Sequence, residues 1–402
     1  MLFFVPLQHA DFQFTPILEI RSRYEQRNDL SFDNSLSQDR TMWVNRGRAG
    51  FDLKTDENTT FRVLYQYSNV NIDDTGSAGG IVSINPFYNF SVGTTFRAET
   101  RQDLVEGYLQ HTDGDATLTV GRQMLSMYPG KLLGDNDWGE VARSWNAARL
   151  QTGDWDFFVG QLALDRANNG GVRLGMVSHN WGYGGQTSVI YKSDPAFGDS
   201  IYTLDHLYWR QMNNLGIGVE AAYQWGRDGG RDLEAWAGTI YAQLESSNSM
   251  TFWGEYDIAT GGSAAGAKSH TFDDLYPSDH GHYGLMDLMG WRNMNTFGIG
   301  LDWSASNDVE VSLGYYNFTK YDSSDGWYSG RNTIGPYGIP GGGASASDDL
   351  GSEVDISLNW QLRSDTKLGL GIAFFDPGTA MTQMGAGSDN QTWFFAQLSW
   401  KR

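Results

Sequence analysis

Eighteen segments of this chain alternate apolar and polar residues, and the connections between them alternate in length. That combination limits the possible folds more than any other feature. In "FRVLYQYSNV" one face carries Phe61, Val63, Tyr65 and Tyr67, and the other Arg62, Gln66 and Ser68. "IGVEAAYQW" sets Ile217, Val219, Ala221, Tyr223 and Trp225 against Glu220 and Gln224, and "SEVDISLNWQL" sets Val354, Ile356, Leu358 and Trp360 against Glu353, Asp355 and Asn359. A period of two is the signal of a strand with two unlike faces. The segments run 17–25, 42–54, 60–71, 99–111, 115–124, 146–152, 155–165, 171–180, 183–192, 201–211, 216–226, 232–246, 249–258, 295–305, 308–320, 350–362, 366–375 and 391–400. Tight turns such as "TDENT", "MNNL" and "RSD" alternate with connections that include 72–98, 125–145, 259–294, 321–349 and 376–390. Three of the second set, 166–170, 193–200 and 227–231, are shorter.

The pattern predicts an all-β fold: a transmembrane antiparallel β-barrel of about 18 strands, with short periplasmic turns and long extracellular loops. Closure pairs every backbone N–H and C=O between strands, as lipid demands. No stretch approaches 18 apolar residues, so no helical span is expected. With strand 1 rising from the periplasm, Trp155, Trp181, Tyr183, Trp303, Trp360 and Trp400 fall beside the tight turns. Tyr24, Tyr65, Tyr67, Tyr223, Trp225, Trp236 and Tyr315 then fall near the outer rim. Two aromatic girdles result. A soluble sandwich or propeller would have to explain the girdles, the alternating connections and the polar inner face together. The location implied is the bacterial outer membrane, in contact with lipid and lipopolysaccharide.

Composition narrows the function. A net charge of −20 excludes a phosphate-backbone partner, so no nucleic acid is expected. The absence of cysteine removes disulfides and thiolate chemistry. The apolar start "MLFFVPLQHA" reads as the remnant of a secretory signal or as an N-terminal arm over 1–10, leaving 11–402 as a single barrel.

An eighteen-strand barrel should enclose an aqueous lumen. By parity, the inward face of strands 1 to 10 carries Arg21, Arg23, Arg46, Arg48, Arg62, Arg149, Arg173 and Arg210, with Glu19, Asp52 and Glu106 interleaved. The inward face of strands 11 to 18 carries Glu220, Glu255, Asp257, Asp302, Glu310, Glu353 and Asp355. Arg122 falls on the apolar parity, and a bulge at Gly121 would be needed to turn it inward. Arginine suits a path for carboxylates or phosphates, because its planar fork pairs them and stays charged. The competing reading is that Arg–acid pairs simply fill a wide interior. Catalytic motifs are absent, and no cofactor is expected. His280 and His282 in "DHGHYG", beside Asp279, have the alternate spacing of a weak metal signal; "GIPGGGASAS" (338–347) reads as loop material.

Two stretches add a resemblance. "VGRQMLSMYPGKLLGDNDW" followed by "ARSWNAARL" resembles the alginate export family of outer-membrane proteins, through Gly121, Arg122, Gln123, Leu133, Gly134, Trp138, Asn146, Ala147, Ala148 and Arg149. "LYPSDHGHYGLMDLM" is similar to a loop of the same family, through His280, Tyr283, Gly284, Met286 and Asp287. The resemblance implies an eighteen-stranded barrel that passes an anionic polysaccharide outward through an arginine-lined pore, with Arg149 and Arg122 among the path residues. It also implies a long plugging turn before the last strands, where this chain has only "RSD". An exporter would meet secretion partners on the periplasmic side. The alternative is a substrate-selective uptake porin for small anions or oligosaccharides. A barrel enzyme or adhesin is the least supported reading.

Overall fold

The computed structural model describes residues 12–402 except 35–38, 76–80, 86–87, 92–94, 166–170, 248, 264, 279 and 330–343. Residues 1–10 and Asp279, both named above, lie outside the described residues. Among those described, eighteen long strands form the wall: β1 Gln13–Arg27, β2 Asp39–Lys54, β3 Thr59–Thr75, β4 Thr95–Asp113, β5 Ala116–Gln123 and β6 Ser144–Thr152. Then come β7 Trp155–Leu164, β8 Arg173–Gly182, β9 Gly185–Asp194, β10 Asp199–Met212, β11 Leu215–Asp228 and β12 Arg231–Ser247. The last six are β13 Met250–Ala259, β14 Met294–Ser306, β15 Val309–Thr319, β16 Asp349–Arg363, β17 Thr366–Pro377 and β18 Gln391–Lys401. Each strand pairs antiparallel with the next, and β1 closes on β18 from Glu19↔Lys401 to Arg27↔Trp393. The ladder therefore has no free edge, as a spanning sheet requires.

The outer face follows the period-two pattern. Leu313 pairs with Ile356 and both are exposed, while Ser312 pairs with Ser357 on the inner side. Trp155, Trp181, Tyr183, Trp303 and Trp360 are exposed at the tight-turn end; Tyr65, Tyr67, Tyr223, Trp225, Trp236 and Tyr315 are exposed towards the other rim. One register shift lies in the β3–β4 ladder, where Leu64 and Tyr65 face Glu106 and Leu104 and leave Val105 as an extra, fully buried residue.

The interior departs from the expected water-filled lumen. Segments 124–143 and 260–293 fold into the loop-side half of the barrel. They contribute Leu125, Leu132, Leu133, Phe272, Leu275, Met286, Leu288 and Trp291 to one apolar core. That core continues onto inward-facing Leu174, Met176, Ile190, Ile201, Phe318, Phe375 and Trp393 of the wall. The inner face is thus apolar over part of its contact with the packed segments and charged or polar over the rest.

Candidate functional site

The alternation of β1 and β2 turns Arg21, Arg23, Arg46 and Arg48 inward, and Arg21 lies directly opposite Arg46 in the ladder. Like charges facing each other across a strand pair are destabilising unless something neutralises them. Segment 124–143 does so. Arg21 donates to the carbonyls of Asp137 at 2.7 Å, Trp138 at 2.8 Å and Gly139 at 2.5 Å. Arg23 donates to the Trp138 carbonyl at 2.8 Å and lies 4.0 Å over the Trp138 ring. The carboxylate of Asp137 accepts from Arg46 at 3.0 Å and from Arg48 at 2.5 Å, and Glu19 pairs with Arg46 at 2.5 Å. Burial pushes the Asp137 carboxyl up, but the nearby Arg46 and Arg48 outweigh it and hold it below its ordinary range. The cluster can grip one carboxylate and several oxygen dipoles at once. It currently grips the chain's own.

The two stretches singled out in the sequence are two halves of one interface. Trp138 stacks on His280 with ring centroids 3.8 Å apart, and His280 Nδ1 lies 2.9 Å from the Asp287 carboxylate. Leu133 bridges to Tyr276, and Gly134 packs so closely on Ser278 that a Cβ would collide with it. Gly284 has φ +88° and sits where a Cβ would lie 2.5 Å from the Glu353 carboxyl group, so only glycine fits. The acidic wall receives this second segment: Glu353 accepts from the Met286 N–H at 2.8 Å, and Asp355 accepts from the Leu285 N–H at 3.0 Å. Lys131 binds Asp257 at 2.5 Å and lies 3.6 Å from Glu255. Burial lowers the Lys131 pKa, but Asp257 and Glu255 outweigh that and raise it, so it stays charged. Burial and the Lys131 charge push the His282 imidazole down to about 3, so it stays neutral. His280 and His282 have separate surroundings. Among the described residues no group of three His, Cys, Asp or Glu converges to hold a metal.

The remaining predicted residues divide. Arg62 faces inward and pairs with Asp52 at 2.6 Å and Glu106 at 3.4 Å. Arg149 faces inward near the tight turns and forks onto Asp156 at 2.5 Å. Asp302 faces the lumen near the same end. Three arginines are corrections. Arg173 is exposed on the outward parity of β8, because Leu174 and Met176 turn inward onto the packed segments. Arg210 is exposed on the outward parity of β10, whose inward residues are Leu207 and Trp209. Arg122 stays on the outer side. The ladder runs unshifted through Gly121, the bulge being at Val105 instead, and Arg122 donates to Asn146 Oδ1 and to the Leu104 carbonyl, each at 3.0 Å. Among the described residues, the inward arginines that were missed include Arg27 and Arg40. Arg27 donates to Gln391 at 2.8 Å and to the Met286 carbonyl at 2.8 Å, and Arg40 is buried. Both lie on the parity of the predicted four, so carrying the alternation two more steps along β1 and three along β2 finds them.

A family model described as "Alginate export" matches residues 196–395. The chain belongs to the alginate export family. The second singled-out stretch lies within the match; the first lies outside it and joins the family's region through the contacts just described. The fold is that of outer-membrane porins. The outer membrane protein OprD from Pseudomonas aeruginosa superposes with a TM-score of 0.59 at 12% identity, over 97% of this chain and 93% of that one. OccK7 (OpdD) from Pseudomonas aeruginosa gives 0.65 at 12% identity, over 98% and 99%. Acinetobacter baumannii OccAB1 gives 0.63 at 10% identity, over 96% of both chains. No curated protein sequence matches. This family member is an outer-membrane β-barrel channel of the bacterial envelope.

Proposed function

We propose that the channel passes an anionic saccharide, of the alginate-like kind or a related anionic solute, along the arginine cluster of β1 and β2. The observation that carries this reading is the Asp137 carboxylate held between Arg46 and Arg48. A carboxylate already sits where a uronate carboxylate would, so a polyanion competes with Asp137 for the same guanidinium groups and displaces segment 124–143 as it binds. Arg62 and Arg149, nearer the tight-turn end, offer further guanidinium groups, each now paired with an acid. A row of replaceable pairings lets an anion advance without being trapped.

Single-channel current in planar bilayers tests this. The wild-type pore should prefer anions at low salt, the preference should fade as salt screens the wall, and uronate oligomers should interrupt the current. Replacing Arg46 and Arg48 together with Ser should weaken both the preference and the block while the barrel remains folded, since lumen side chains tune selectivity more than stability. A cation-selective wild-type pore would overturn the reading.

A selective uptake porin for small anions or oligosaccharides is the second reading. It is supported by segments 124–143 and 260–293, which pack into the loop-side lumen and so obstruct a broad polymer path. Anion selectivity without any response to uronate oligomers would favour it.

A further inference from the structure

Halfway round the barrel from the arginine cluster, the wall carries a belt of a different kind. In a single register row, Trp209 of β10 faces Gly218, Gly218 faces Tyr241, Tyr241 faces Glu255, Glu255 faces Gly298, and Gly298 faces Tyr316. Trp253 occupies the next row towards the tight turns, opposite Gly300. The glycines make room for the rings. A Cβ at Gly218 would lie 2.9 Å from Trp209 and one at Gly298 would lie 2.8 Å from Tyr316; one at Gly300 would collide with Trp253. The rings therefore lie flat against the wall and present their faces to the lumen.

These faces bound a cavity of about 330 Å³, roofed by Tyr128, Pro129 and His282 of the inward segments. Three carboxylates line it, Glu220, Glu255 and Asp302, against one ammonium, that of Lys131. That ammonium's nearest partner is Asp257, at 2.5 Å. Glu220 is only 4% exposed, and its Oε2 accepts no hydrogen bond. A buried carboxylate oxygen left unpaired is costly, so its position marks a place for a donor. Aromatic faces carry negative potential and attract cations, more strongly where water is excluded. Lys131 shows that this wall already accepts an ammonium.

We infer that this cavity is a binding subsite for an organic cation with an ammonium or guanidinium head, which stacks on the Trp209, Tyr241 and Tyr316 faces and donates to Glu220 and Asp302. A neutral sugar could stack on the same rings, but its hydroxyls would leave the excess negative charge uncompensated. An anion is repelled by all three carboxylates. The subsite lies on the far wall from the arginines and does not depend on what they carry.

Agmatine, which has both head groups, is the probe. Added to planar bilayers from the tight-turn side, it should interrupt the wild-type current, while cellobiose and gluconate at equal concentration should not. Glu220→Gln and Asp302→Asn should each raise the blocking concentration about tenfold or more, the scale of losing one charge-assisted hydrogen bond. Asp302 is exposed near the barrel end, so Asp302→Asn keeps the test intact even if Glu220→Gln fails to assemble. Agmatine block unchanged in the variants, or cellobiose block equal to that of agmatine, would overturn the proposal. Block by uronate oligomers should be the same in Asp302→Asn as in wild type, so failure here is separable from failure of the arginine path.

Discussion

Asp137 connects the loop to the arginine cluster and can be tested by pH. Its carboxyl is held below the ordinary range, so the docking it contributes is fully present above the unperturbed value of about 3.9. That contribution is lost only as pH falls through the lower folded value. Conductance should therefore stay flat from neutral pH down to about 4 and rise below it, as the protonated side chain lets go of Arg46 and Arg48. Asp137→Asn should already show the raised conductance at neutral pH. Identical pH profiles for wild type and variant would mean that Asp137 does not hold the segment in place. At this scale the sequence was informative about the donors and, Glu19 apart, silent about their acceptors. Arg21, Arg23, Arg46 and Arg48 follow from parity alone. Asp137 lies in a stretch without period, and three of the other acceptors are backbone carbonyls, which any residue supplies.

The strand is the scale at which the sequence speaks most clearly, because a spanning strand has lipid on one side and something unlike lipid on the other. Leu313 and Ile356 are paired and exposed at mid-strand, with Ser312 and Ser357 paired behind them. Leu313→Arg or Ile356→Arg should destabilise the barrel by roughly 2–4 kcal/mol, whereas Ser312→Arg or Ser357→Arg should be tolerated. Urea-dependent folding into lipid vesicles reads the difference, and equal losses at both positions would reverse the assignment of faces. The same contrast explains the errors at Arg173 and Arg210. At a strand end the outer face meets head groups and water, so a charge there is no longer evidence of an inward direction. On β8 the inner face meets packed apolar segments, so Leu174 and Met176 look like lipid-facing residues although both are buried inside. Polarity reports direction only where the two sides differ in polarity.

At the scale of the whole molecule, the barrel is a frame around two long segments that hold each other as well as the wall. Each was visible in the sequence as an aperiodic stretch too long for a simple connection. Their mutual docking was not visible, because it rests on contacts such as Trp138 with His280 and Gly134 with Ser278, which lie far apart along the chain. The chain has no cysteine, so this junction can be locked without interference. Leu133→Cys with Tyr276→Cys places two thiols on residues that already bridge the two segments backbone to backbone. If a polyanion passes by displacing segment 124–143, oxidising the pair should abolish flux of uronate oligomers into or out of loaded vesicles while small-ion current persists, and reduction should restore the flux. A small solute that fits past the docked segments would cross equally well in both states. Oligomer flux that ignores the lock would show that the segments stay docked during transport, and the path would then have to run beside them rather than through the space they occupy.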